Sequence, residues 1–418
     1  MVPRLRAASL SGLAALAVLG SCRGRPPGSE EQVVRRLVDS LQPAVERAAG
    51  LRFTTPPRAE VRSRDQVRAY LVHKLDQELP PAKARGLQAA YRLLGLLPDS
   101  IELRPLLLDL FTEQIVGYYE PDSTTLFVVA HANREVLRLT VAHELVHALQ
   151  HQYLPLDSIL EQGGDNDRLS AAQAVLEGQA TLVGLQVIVP DQNLFAMPQF
   201  WETYRSQLRA QQAAMPVFSQ APRLIRESVL FPYLAGADFL RWWAGSEHRD
   251  TVPFGPRMPV STEQILHPDR YGRGDVPVAL RFKRDQPDVL YEDVMGEFDI
   301  RVLAADLVNA AEVTTPVPLG WGGDRFRVFG SPLGPALVWY LAFDDQLARL
   351  RFLTGTGQRL EKRRRLGYRM ELIRVDLGPY PGVRIVLAPD GWAGWGKVVE
   401  AEVVSGPRAS ASGSLPRR

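Results

Sequence analysis

The sequence has little cysteine, little excess charge and no apolar run long enough to cross a bilayer comfortably. Its 418 residues include one cysteine, so no disulfide can form within the chain. Lys and Arg total 49 against 47 Asp and Glu, and the basic residues are spread along the chain. These absences argue against a disulfide scaffold and against nucleic acid as a partner. Because 45% of the residues are hydrophobic, we expect a globular chain with a large core in two or three domains.

The first 22 residues predict export. Two arginines precede an apolar run from Ala7 to Leu19, which has the shape of a secretory signal. The run ends in Leu19-Gly20-Ser21-Cys22, which resembles the lipobox of bacterial lipoproteins. That resemblance implies lipidation of Cys22 and anchoring to a bacterial membrane, with residues 23–31 as a linker. The alternative is an ordinary cleaved signal with a chance cysteine.

The apolar periodicity of residues 32–114 predicts a helical N-terminal region. Its first helix begins near Val33, and we expect Pro43 to interrupt it. Three further helices are predicted at Arg64–Glu78, Ala82–Leu96 and Leu103–Gln114.

The next segment alternates between strand and helix signals. Strands at Ile115–Tyr119 and Thr124–Ala130 flank a turn-forming cluster and predict a hairpin. Helices are predicted at Arg134–Tyr153, at Leu169–Val187, between Gln192 and Gly245, and after the capping pair Ser261 and Gln264.

From about Val313 the pattern becomes rich in strands. We predict strands at Arg325–Phe329, Ala336–Phe343, Tyr368–Leu377 and Val383–Leu387, with Tyr380-Pro381-Gly382 as the turn between the last two. The predicted architecture is therefore α+β, with a core over residues 115–300, a mixed C-terminal domain over 301–407 and a disordered tail over 408–418.

The segment His143-Glu144-Leu145-Val146-His147 has the HExxH pattern. Residues four apart lie on one face of a helix, so both imidazoles can reach one cation. Neutral imidazole is a good ligand for Zn²⁺, and Glu144 is close enough to act on metal-bound water as a general base. The alternative is a helix with two structural histidines.

A hydrolytic zinc site normally has a third protein ligand. His151 lies two turns from His143, about 12 Å along the helix, which is too far for the same ion. Glu177 is the better candidate, because a carboxylate in an apolar helix is costly without a positive partner. A glutamate paired with an arginine is the alternative.

HExxH followed by a helix with Glu177-Gly178-Gln179-Ala180 resembles the gluzincin peptidases. The resemblance implies a zincin-like core in which His143, His147 and Glu177 bind zinc and Glu144 is the base. Thr181 departs from it, standing where thermolysin-like proteins carry an Asp that orients a histidine, so another group must do so. More loosely, the whole mature chain resembles a group of exported bacterial HExxH proteins, through residues 117–121, 261–268 and 320–325.

Peptide hydrolysis also needs a substrate-binding edge and a donor to the oxyanion. We expect the strand Thr124–Ala130 to present that edge, with an ordinary packed hairpin as the alternative. His267 and Tyr233 are the candidate donors, each with a structural alternative.

The function predicted from the sequence is zinc-dependent hydrolysis of a peptide or protein substrate by an exported lipoprotein. Two alternatives stay open. One is a catalytically inactive, zinc-stabilised binding or assembly lipoprotein, which would have no use for Glu144 as a base. The other is a zinc hydrolase of non-peptide amides or esters.

Overall fold

A computed structural model describes residues 30–154, 165–190, 192–247, 251–313 and 319–404. The predicted signal, Cys22 and the predicted C-terminal tail lie outside these ranges. Within them, no helix combines the length and apolar character needed to span a bilayer.

The chain folds into an α+β architecture, as predicted. Its helices are α1 (Glu30–Ala49), α2 (Arg64–Glu78), α3 (Pro81–Leu93), α4 (Leu103–Gln114), α5 (Arg134–Tyr153), α6 (Asn166–Ile188), α7 (Pro198–Ala213), α8 (Pro216–Gln220), α9 (Arg223–Gly245), α10 (Thr262–Leu266), α11 (Pro268–Gly272), α12 (Gly296–Leu307), α13 (Gln346–Phe352) and α14 (Gln358–Lys362). Its strands are β1 (Arg58–Arg62), β2 (Gly117–Glu120), β3 (Thr125–Val129), β4 (Leu280–Phe282), β5 (Val289–Asp293), β6 (Trp321–Phe329), β7 (Ala336–Phe343), β8 (Tyr368–Leu377), β9 (Tyr380–Pro389) and β10 (Ala401–Val403).

The strands form three sheets. The first has the order β1-β3-β2, with β1 parallel and β2 antiparallel to β3. The largest is antiparallel in the order β5-β6-β7-β9-β8, and β4 pairs with β10 in the third. The largest hydrophobic cluster contains residues from Val67 to Leu387, so the three predicted segments share one core. The predicted domain boundaries stay predictions.

The prediction of which strand forms the free edge of the first sheet is wrong. We expected Thr124–Ala130 to present a free edge, but β3 is paired on both sides. The sequence analysis missed β1, a short strand with three charged residues whose parallel partner lies more than 60 residues further on. The edge strand beside α5 is therefore β2.

Two further local predictions are wrong. Pro43 does not interrupt α1, because it lies on the exposed face while Val34, Val38, Leu41 and Val45 bury the opposite face. Tyr380-Pro381-Gly382 is not a turn but the start of β9. The turn is Gly378-Pro379, where a φ of +60° at Gly378 fits the first central position of a two-residue hairpin loop.

Helix α5 lies between two hydrophobic clusters. The second cluster packs α1 and the first sheet against the apolar side of α5, through Val141, Leu145 and Leu149. Helix α6, most of whose residues are buried, contributes residues from both of its halves to the largest cluster, and Ala180, Val183 and Val187 to the other. The two helices that carry the predicted ligands are therefore held on both sides.

Candidate metal centre

Three predicted ligands converge between α5 and α6. His143 and His147 lie one turn apart on α5, and Glu177 faces them from α6. The Nε2 atoms of the two histidines are 3.0 Å apart, and Glu177 Oε2 lies 3.0 Å from His143 Nε2 and 3.4 Å from His147 Nε2. The prediction that these three side chains come together is confirmed, and their binding of a metal stays a prediction.

These distances suit a tetrahedral zinc ion. With bonds of about 2.0–2.1 Å, the ligand atoms of such an ion stand about 3.3–3.4 Å apart. Two imidazole nitrogens and a carboxylate oxygen are also a donor set that zinc accepts in hydrolases. The histidine side chains are 8% exposed and that of Glu177 is 14% exposed, so the carboxylate side of the cluster borders solvent. The residues present therefore fit the ion.

Burial and the contacts among the three residues shift their pKa values in different directions. Burial lowers the pKa of His143, and the neighbouring His147 lowers it further. Burial also acts to lower the pKa of His147, but the Glu177 carboxylate outweighs this effect and raises the pKa to about 9. Desolvation acts to raise the pKa of Glu177, yet the charge on His147 and the hydrogen bonds from both rings lower this pKa to about 2. The cluster thus carries an ionised carboxylate that a cation can bind.

Glu144 is fully buried and held by the edge strand. Its Oε2 accepts a hydrogen bond of 2.8 Å from the backbone N–H of Tyr119 on β2. Its charge also acts to raise the pKa of His147. Tyr119 is itself held by His151, whose Nδ1 is 2.9 Å from the phenol oxygen. His151 is therefore half-buried against β2 and does not join the metal ligands.

Two glycines bring α9 against α6 beside the cluster. A Cβ on Gly236 would lie 1.8 Å from the carbonyl oxygen of Ala174, and one on Gly178 would lie 2.4 Å from the backbone of Gly236. This close approach places the ring of Tyr233 with its centroid 6.1 Å from that of His143. Tyr233, one of the two predicted oxyanion donors, therefore lies beside the ligands.

His267, the other predicted donor, belongs to a different buried group. Its Nε2 lies 3.1 Å from Glu297 Oε1 and 3.0 Å from Arg301 Nη2. Both partners lie on α12, so the His267 ring is engaged there. The structure does not bring it to His143, His147 and Glu177. We assign it no catalytic role.

Gln150 is the orienting residue that the sequence analysis missed. Its Nε2 donates to the carbonyl oxygen of Leu176 and to Gln179 Oε1, both at 2.9 Å. A carbonyl can only accept, so the other amide atom of Gln150 is the oxygen, and it accepts from His147 Nδ1 at 2.7 Å. Nε2 of His147 is thereby turned towards the cluster. Its position three residues after His147 was the available signal, because i and i+3 share a helix face.

Thr181 does not replace the missing acidic residue. It is buried and forms a hydrogen bond with the Tyr204 side chain on α7. Helix α6 acts on the orientation of His147 through Leu176 and Gln179, which accept hydrogen bonds from Gln150.

Comparisons with known proteins give no relative. The chain matches no family profile, no curated protein and no solved structure. The resemblance to gluzincins therefore stays a prediction from the sequence motif.

Proposed function

We propose that this protein is a zinc-dependent hydrolase that cleaves peptide bonds. The observation that carries the proposal is the convergence of His143 Nε2, His147 Nε2 and Glu177 Oε2 within 3.4 Å of one another, with the Glu144 carboxylate beside them. A site with a purely structural role needs no buried carboxylate held next to an open coordination position.

Each residue of the site has its own role in the proposed reaction. His143, His147 and Glu177 would hold zinc, which when bound polarises a carbonyl and makes water more acidic. Glu144 removes a proton from the attacking water, whose oxygen adds to the carbonyl carbon. The carbon–nitrogen bond then breaks, and Glu144 delivers the same proton to the leaving amine. Tyr233 is the candidate donor to the oxyanion, because its ring lies beside His143.

A peptide is the substrate that the surroundings favour. Strand β2 is an edge of its sheet, and Tyr119 lies at a position whose backbone groups point away from β3 towards α5. The Tyr119 N–H is already bonded to Glu144, so an extended peptide would pair with the other outward-facing backbone groups of this edge and lie close to that base. A small ester or non-peptide amide would use none of these groups.

The test is to replace Glu144 with Gln in the zinc-loaded full chain. We expect a loss of about 10²–10⁴-fold in the cleavage of a fluorogenic peptide library, because the base is removed while the ligands stay. Zinc content, measured by mass spectrometry, should be unchanged. Glu60→Gln, the same substitution at an exposed position on β1, should keep full activity.

Wild-type protein that binds one zinc and cleaves no peptide would overturn the peptidase proposal. If it then hydrolysed aryl esters or small amides in a Glu144-dependent way, the chemistry would stand and the substrate class would be wrong. Retained peptide cleavage in the Glu144→Gln variant would refute the role of the base.

A further inference from the structure

The turn between α14 and β8 carries a dense group of cations. Six of the eleven residues from 359 to 369 are Arg or Lys. The expectation that basic residues are spread along the chain therefore fails for this segment. We call residues 362–366, with the sequence Lys-Arg-Arg-Arg-Leu, the basic tip.

Two of the cations fix the basic tip to the body of the protein. Arg363 donates to Asp306 on α12 at 2.6 Å, and Arg365 pairs with Asp99 in the loop before α4. Asp306 and Asp99 are far apart in the sequence, so the tip is held from two sides. This arrangement indicates a defined conformation, and Gly367, with a φ of +75°, lets the chain reverse into β8.

The other side chains of the basic tip project into solvent. Lys362 and Arg364 are exposed, and neither pairs with a carboxylate in the described part of the chain. Arg364 instead donates to the carbonyl oxygen of Glu361 at 3.1 Å, which leaves its charge unneutralised. Leu366 is 104% exposed. A fixed turn thus presents cations around a fully exposed aliphatic side chain.

We propose that the basic tip docks on a lipid bilayer that contains anionic phospholipids. The outer layer of such a bilayer offers phosphate groups to Lys362 and Arg364, and the apolar layer beneath it accepts Leu366. Nucleic acid or an acidic protein would satisfy the cations, but neither offers an apolar layer behind its charges. The leucine at the apex therefore favours the membrane over those partners.

The expected strength of membrane binding follows from the number of unpaired cations in the basic tip. Each Lys or Arg near an anionic leaflet strengthens partitioning about fivefold, and salt screens the attraction over about 8 Å at physiological ionic strength. Two unpaired cations would therefore contribute about 25-fold, and Arg363 and Arg365 would add less because carboxylates already face them. The docking would orient the body of the protein on the surface, independently of the metal centre.

The test places a reporter at the apex. Cys22 is the only cysteine, so Leu366→Cys in a full chain with Cys22→Ser can be labelled at one position with a polarity-sensitive fluorophore. We expect a blue shift with vesicles of phosphatidylcholine and phosphatidylglycerol at about 7:3 and none with phosphatidylcholine alone. Lys362→Gln with Arg364→Gln should raise the anionic lipid concentration at half-maximal shift about 25-fold.

The matched control is Arg36→Gln with Arg47→Gln, which removes two exposed cations from α1. It should change the half-maximal concentration less than threefold. An equal change in both pairs would mean that net charge alone matters and would overturn the proposal. So would a fluorophore that stays in water with anionic vesicles, or one that responds only to an added RNA oligonucleotide.

Discussion

Two buried carboxylates in this protein have opposite surroundings. Asp324 on β6 is fully buried and accepts four hydrogen bonds, from the backbone N–H groups of Met295 and Gly296 and from the indoles of Trp321 and Trp339, at 2.8–3.1 Å. Glu177 on α6 faces two imidazole nitrogens and keeps a border with solvent. Both lie in glycine-containing segments that carried a resemblance to known proteins in the sequence.

The difference teaches how to distinguish a structural carboxylate from a ligand. The donors around Asp324 are permanent N–H groups, so its charge is satisfied within the fold and it joins α12 to the largest sheet. The ring nitrogens around Glu177 can donate only when protonated and otherwise present lone pairs. A cation can replace the protons at Glu177 but has no place at Asp324.

The strongest test of this difference is to replace each carboxylate residue with alanine. Asp324→Ala leaves four buried donors unpaired, and at about 1–1.5 kcal/mol each we expect a loss of about 5 kcal/mol in the free energy of unfolding. Zinc affinity of the folded fraction should not change. Glu177→Ala should do the reverse, weakening zinc binding by about 3 kcal/mol, the share of one ligand in a site of this kind. Urea unfolding and competition with a zinc chelator measure the two quantities.

Equal effects of both substitutions on both quantities would contradict the distinction. Asp324→Asn is the gentler variant if Asp324→Ala does not fold, because the amide keeps an acceptor oxygen for two of the four donors.

A second prediction concerns the glycine contact that positions Tyr233. Gly236→Ala would drive a methyl group into the Ala174 carbonyl, so we expect about 3 kcal/mol of destabilisation by overpacking. Gly245→Ala, on the same helix with open space around its Cα, should be neutral or stabilise by up to about 1 kcal/mol. Thermal unfolding of both variants decides the point, and similar melting temperatures would disprove the close approach of α9 to α6.

Gln150 sets the third prediction. Gln150→Leu removes the acceptor from His147 Nδ1, so zinc affinity should fall about 10–100-fold. Gln150→Glu keeps an acceptor and should recover most of that affinity. The ¹⁵N shift of His147 Nδ1 in zinc-loaded protein provides a direct check, because Nε2 is then held by the ion and only the leucine variant removes the acceptor of the Nδ1–H. Unchanged shifts and affinity in that variant would remove Gln150 from the site.

The fourth prediction concerns the dependence of zinc binding on pH. Metal-free His147 has a pKa of about 9, and the ion needs its Nε2 without a proton. Below that pH one proton must leave on binding, so affinity should rise about tenfold per pH unit and level off near pH 9. Glu177, with a pKa of about 2, stays ionised over this range and does not contribute. A flat profile between pH 6.5 and 8.5 would contradict the coupling of His147 to Glu177.

The sequence predicted the parts of the fold that local patterns encode. The bounds of α2, α4, α5, β7 and β8 agree with the structure. Strand β1 was missed because five residues with three charges carry no strand signal, and only the distant partner β3 makes them a strand. That omission is also why the free edge was assigned to β3.

The candidate site also has a part that could be predicted from the sequence and a part that could not. Spacing on one helix was enough for His143, Glu144 and His147, and the burial cost of a lone carboxylate was enough for Glu177. Gln150 was missed although its position three residues after His147 on the same helix was a signal. The Tyr119 N–H could not be assigned, because its role arises from a contact between elements. His267 was misplaced since nothing in the sequence indicated that Glu297 and Arg301 would engage its ring.

The most direct test of the central claim is zinc K-edge X-ray absorption on the full chain after metal loading and removal of excess ion. The account predicts one zinc per chain, with two imidazole nitrogens and low-atomic-number oxygen neighbours at about 2.0–2.1 Å. In Glu177→Ala the two imidazoles should remain while the ion is held more weakly. Folded protein that retains no zinc, or zinc whose imidazole signal persists unchanged in a variant lacking both His143 and His147, would contradict it.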